Sequence, residues 1–99
     1  MLQWVVRSTI KIAVLGDFNP GFHTHHATNA ALRHAADQLE IQAEVDWLPT
    51  PSLLESGAEE RLAGYDALWL SSGSPYRSME GALAGVEVAR RRDQPFMAT

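Results

Sequence analysis

The stretch Leu68-Trp69-Leu70-Ser71-Ser72-Gly73-Ser74-Pro75-Tyr76-Arg77-Ser78-Met79-Glu80 decides the reading of this chain. It runs from an apolar strand through a turn of small residues into a helix start. Ala67 to Leu70 is the short apolar run expected of a buried parallel strand. Ser71 to Ser74 carries small side chains and one glycine, so backbone N–H groups there can face a ligand with no Cβ in the way. Pro75 fixes its own φ and turns Ser74 away from helix. Ser78 is placed to cap the following helix, with Glu80 in its first turn at the positive end of the dipole. Open α/β sheets bind ligands at loops of this kind, on the carboxyl ends of parallel strands. From these residues alone the stretch reads equally well as an ordinary βα turn.

Upstream, Ile10-Lys11-Ile12-Ala13-Val14-Leu15-Gly16 is a β-branched, apolar strand ended by glycine. Asn19-Pro20-Gly21 punctuates the turn after it. A helix is expected from about Thr24 to Leu39. Its small-residue stripe of Ala27, Ala30, Ala31, His34, Ala35 and Leu39 suits close packing on a sheet. Val45 to Leu48 reads as a second strand. Thr50, as N-cap, and Pro51 open a short helix that Gly57 interrupts and Gly64 ends. Downstream, a helix from Met79 to Arg91 with a buried stripe of Ala82, Leu83, Val86 and Ala89 leads into a fourth strand at Phe96. The order β-α-β-α-β-α-β predicts parallel strands, right-handed crossovers and helices on both faces.

Ninety-nine residues, 45% of them hydrophobic and 20% charged, bound one small soluble-type domain. The net charge of −4 and only eight Lys and Arg argue against nucleic acid as a partner. Three of those eight form the run Arg90-Arg91-Arg92, which suits the end of a helix dipole better than a phosphate site. No stretch approaches the ~20 apolar residues of a membrane span, and the cytoplasm is the expected compartment. Cysteine is absent, which removes disulfides, thiolate metal sites and thiol nucleophiles.

The set His23-Thr24-His25-His26 is the one dense group of metal-ligand types, with His23 and His26 a helical turn apart. It has no Cys and no acidic partner nearby in sequence, so no metal is expected: exposed or satisfied histidines in a helix entry are the expected reading, and a shared metal is the alternative. Neither Gly16-Asp17-Phe18 nor Ser72-Gly73-Ser74 matches a dinucleotide or phosphate-cradling fingerprint. No serine stands in a Gly-x-Ser-x-Gly elbow. Trp4, Trp47 and Trp69 lie in or beside strands and are expected to pack in the core.

Taken together, Lys11 to Gly16, Ala30 to Ala35, Tyr65 to Leu70 with its Ser-Gly loop, Glu80-Gly81, Ala89-Arg90 and Pro95-Phe96 resemble class I glutamine amidotransferase domains. The likeness is in particular to the glutaminase half of CTP synthase and to stand-alone proteins related to its C-terminal region. It divides the chain into an extension over residues 1–9 and the N-terminal part of an amidotransferase-like domain over residues 10–99. The resemblance implies a doubly wound, flavodoxin-like α/β parallel sheet in the order 2-1-3-4, truncated after its fourth strand. Ile12, Val14, Leu68, Leu70 and Phe96 are then expected to be buried.

In that family a cysteine on the turn after the Pro-Phe strand attacks the side-chain amide of glutamine, with a downstream His as base and a Glu to orient it. Backbone N–H groups of the glycine-rich loop after the third strand stabilise the oxyanion. By position Gly73 matches the second glycine of that loop, Ser72 replaces the first, and Ser74 replaces the aromatic that follows. Ser72, Gly73 and Ser74 are therefore the expected oxyanion-loop residues, glutamine or a similar small molecule the expected partner, and no cofactor is implied. Pro95-Phe96-Met97-Ala98-Thr99 reaches the position just before the nucleophile, so the chain as written is expected to lack catalytic residues and glutaminase activity. Codon 100 is expected to be UGA for selenocysteine, as in some stand-alone relatives. An uncovered sheet face is expected to promote oligomers. The rival expectation is a small non-catalytic α/β module that binds a ligand or partner at the carboxyl edge of its sheet.

Overall fold

The computed structural model describes residues 9–72 and 76–99. Four strands, β1 (Thr9–Leu15), β2 (Gln42–Leu48), β3 (Ala67–Leu70) and β4 (Phe96–Ala98), pair in parallel in the order β2-β1-β3-β4. Helices α1 (His23–Leu39), α2 (Ala58–Ala63) and α3 (Met79–Arg92) connect them, with a 3-10 helix over Thr50–Leu54 before α2. This is the doubly wound α/β architecture expected from the sequence. Ile12, Ala13, Val14 and Leu15 are buried without a break, as a strand covered on both faces requires.

On one face Ala13, Leu15 and Leu68 pack with Leu53, Leu62, Val88 and Ala89 of the helical layer. Close approach there depends on two glycines of α3. A Cβ on Gly81 would run into the Thr50 carbonyl, and one on Gly85 would meet the side chains of Leu15 and Leu53. These positions also explain why the stripe expected on this helix is rotated. Gly81, Ala82, Gly85, Val88 and Ala89 are buried, whereas Leu83 is exposed and Val86 half-buried. The helix turns its smallest residues, not its largest, toward the sheet.

On the other face α1 lies over the β1–β2 side through His25, Thr28 and Ala36. The stripe Ala27, Ala30, Ala31, His34, Ala35 and Leu39 is exposed, contrary to expectation. Ala31 and Ala35 instead look across a groove of about 470 Å³ toward Trp69 and Met97. Nothing among the described residues fills that groove, which leaves the β4 side of this face bare. Phe96 is therefore 39% exposed rather than buried. Leu70 is half-buried against the core cluster, while Ile12, Val14 and Leu68 are buried as expected.

Local signals held in part. Ser78 caps α3, its Oγ accepting from the Gly81 N–H at 3.0 Å. Thr50 makes no cap, because Pro49 holds that position and the Thr50 hydroxyl is engaged elsewhere. Gly64 ends α2 with a right-handed backbone (φ −78°), so its freedom is not used. The left-handed turns fall on Glu40 and Asp93 after α1 and α3, both at φ 54°.

Candidate functional site

All four strands point their carboxyl ends at one edge of the sheet, and three connections emerge there. Their junction is organised by Asp17, which directly follows the strand-ending Gly16. One carboxylate oxygen accepts the Thr50 N–H at 2.8 Å. The other accepts the Thr50 hydroxyl at 2.7 Å and the Arg77 N–H at 2.9 Å. The Thr50 Oγ1 in turn accepts the Ser78 N–H at 2.9 Å. One carboxylate thus ties the loop after β1 to the loop after β2 and to the far end of the loop after β3. Burial pushes the Asp17 carboxyl up, but the hydrogen bonds from Arg77 and Thr50 and the Arg77 charge outweigh it and hold the group below its usual value.

The near end of the β3 loop is held by two other side chains. The Tyr76 hydroxyl donates to the Ser71 carbonyl at 2.6 Å. Burial, followed by the nearby Asp17 charge, raises that phenol above its ordinary range, keeping it a donor. His25 lies 2% exposed in the first turn of α1. Its Nδ1 accepts the Asn19 N–H at 2.9 Å, which places the ring proton on Nε2, and Nε2 donates to the Ser72 carbonyl at 3.0 Å. Phe18, Phe22 and Trp47 surround the ring with centroids 5.8, 5.0 and 4.8 Å away. Within the histidine set His25 is a buried clamp, His23 is exposed, and the exposed His26 donates to the Pro20 carbonyl at 2.7 Å.

Of the expected oxyanion-loop residues, Ser72 is half-buried with its carbonyl turned toward His25. Gly73 and Ser74 lie outside the described residues. The sequence reading missed the frame around them: Asp17, Thr50, His25 and Tyr76. A legible signal existed for two of these, since Asp17 and Thr50 are polar residues at the carboxyl ends of apolar strands, where open α/β sheets place their sites. His25 carried no such mark among its neighbours.

The Arg90-Arg91-Arg92 run is spent on local pairing. Arg91 and Arg92 reach Glu59 at 2.7 and 3.6 Å, and Arg90 reaches Glu87 at 4.0 Å. No described helix is long and apolar enough to cross a membrane.

Fold and edge together define an open, parallel α/β domain whose connections gather at the carboxyl ends of its strands. Among solved structures the chain matches the glutaminase domain of Trypanosoma brucei CTPS with bound acivicin, with a TM-score of 0.78 and 20% identity over 90% of this chain and 35% of that one. Among curated proteins it is similar to CTP synthases from Thermosynechococcus vestitus (27% identical over 88 residues, 89% of this chain), Latilactobacillus sakei (26% over 105 residues, 98%) and Trichormus variabilis (29% over 91 residues, 92%). The chain spans 16%, 20% and 17% of the length of those three proteins. No family model matches it. Sequence and fold converge: this is a glutamine amidotransferase-like domain related to CTP synthase.

Proposed function

We propose that residues 10–99 form the amino-terminal part of a glutamine amidotransferase domain, preceded by a short extension over residues 1–9. Glutamine, or a small molecule like it, binds at the carboxyl edge of the sheet. Backbone N–H groups of Ser72, Gly73 and Ser74 stabilise the oxyanion formed when the side-chain amide is attacked. The observation that carries this reading is the framing of that loop. Its near end hangs from His25 and Tyr76 and its far end from Asp17, beside the point where the connections of β1 and β3 part. The chain holds no thiol, so the 99-residue polypeptide does not itself hydrolyse glutamine. Cytoplasmic pyrimidine nucleotide synthesis is the setting that this reading implies.

Two measurements test it. Ammonia release from glutamine by the purified chain stays at the blank; release that Gly73→Asp abolishes would overturn the inactivity. For the loop, the chain is joined at Thr99 to the remaining segment of a CTP synthase glutaminase domain. The folded chimera hydrolyses glutamine, and Gly73→Asp, by placing a carboxylate beside the oxyanion, lowers kcat by about 10²–10³-fold. Equal activity of chimera and variant refutes the role of the loop.

A further inference from the structure

Beside the Asp17 junction, on the β1–β2 side, the carboxyl edge holds a cavity of about 380 Å³. Its lining is unusual for the rim of a small domain. Phe18 and Phe22, in the loop after β1, are 41% and 40% exposed, and with Trp47 they form an aromatic wall of a cavity that Pro49 also lines. The wall is fixed in place. Phe18 meets Trp47 edge-on at 5.1 Å, and the indole N–H of Trp47 donates to the Asn29 side chain at 2.8 Å. Gly16 and Arg77 complete the lining with Asp17 and Asn19.

Arg77 is the one cation of this lining. Its backbone N–H donates to Asp17, while its guanidinium acts on that carboxylate through charge alone, without a hydrogen bond. The guanidinium takes part in none of the ion pairs among the described residues. Asp17 also borders the cavity, but its two oxygens already accept three hydrogen bonds.

We propose that this cavity is a binding site for a small aromatic monocarboxylate, distinct from the loop assigned to glutamine above. The planar group stacks in the aromatic wall, where a rigid apolar slot with one polar anchor is the usual form of a small-molecule site. The carboxylate pairs with the Arg77 fork, whose geometry it matches. A dianion is disfavoured, because the Asp17 charge lies next to the single arginine.

The test is an ¹⁵N–¹H NMR titration of the full 99-residue chain with phenylacetate, its neutral isostere phenylacetamide, and inorganic phosphate. Phenylacetate is expected to shift the Gly16 amide and the Trp47 indole N–H saturably, the latter identified by its loss in Trp47→Phe. Phenylacetamide binds about tenfold more weakly, and Arg77→Met removes that advantage while leaving the affinity for phenylacetamide unchanged. Arg77 is exposed and its hydrogen bond to Asp17 comes from the backbone, which Arg77→Met retains, so the variant keeps the fold. An unchanged spectrum away from the cavity checks this. Equal affinity for acid and amide, or no loss in Arg77→Met, overturns the anion contact. Phosphate moving the same signals at the same concentration overturns the aromatic selectivity. Shifts confined to Trp69 and Met97 place the ligand in the groove beside α1 and overturn the site.

Discussion

At the scale of single residues, Asp17 has the most to lose. Asp17→Ala removes the acceptor of three hydrogen bonds from two other loops, and Asp17→Asn turns an amide donor toward donors. Either change is expected to destabilise the chain by about 2–3 kcal/mol, read as a lowered urea midpoint with an unchanged m-value. Glu40 offers the opposite case. It sits in the left-handed region at φ 54°, exposed, directly after α1. Glu40→Gly should raise stability by about 0.5–1 kcal/mol, and a loss would show that this turn gains more from the side chain than it pays in backbone strain.

At the scale of elements, α3 is set by its glycines. An added methyl at Gly81 meets the Thr50 backbone, which cannot step aside, whereas at Gly85 it meets the tips of Leu15 and Leu53. Gly81→Ala should therefore cost about 3 kcal/mol and Gly85→Ala about 1, and the reverse order in thermal melts would refute this account of the packing. The strands and helices themselves were legible because their signals are local: β-branched runs, Gly and Pro punctuation, and a serine before a helix. Which face a helix buries was less legible. In α1 and α3 the richest apolar stripe is not the one against the sheet: close layer spacing selected the small residues of α3, whereas α1 meets the sheet through His25, Thr28 and Ala36 and leaves Ala31 and Ala35 on the groove beside β4. The candidate loop was legible as a strand–turn–helix pattern. How its frame closes was not, since Asp17, Thr50 and Arg77 meet only after two crossovers have formed.

For the whole molecule, the titrating groups set a window of stability. The Asp17 carboxyl is held below 3.8, so its contribution is present above that value and is lost as the pH falls through the lower folded value. Tyr65 limits the alkaline side. Burial and the hydrogen bond it donates to Asp46 at 2.7 Å push its hydroxyl up to about 12 from 10.0. Its contribution is present below 10.0 and disappears as the pH climbs toward 12. Urea midpoints at acid, neutral and alkaline pH should trace this window, and Tyr65→Phe should flatten its alkaline limb; a limb unchanged in that variant would assign the loss to another group.

The strand order has a further consequence, in time rather than in energy. The central strand β1 is made first, yet its partners come much later: Thr9 meets Gln42 across 33 residues, and Lys11 meets Asp66 across 55. A nascent chain can close β1, α1 and β2 into a unit, but the other flank of β1 stays open until β3 emerges. Folding rates fall as contacting residues lie farther apart along the chain, so this small domain should fold in milliseconds to seconds, more slowly than a helical bundle of its size. In stopped-flow experiments, Val14→Ala should slow folding, whereas Val88→Ala should mainly hasten unfolding. During that wait the unpaired flank of β1 is a strand edge that any other unfinished copy can join.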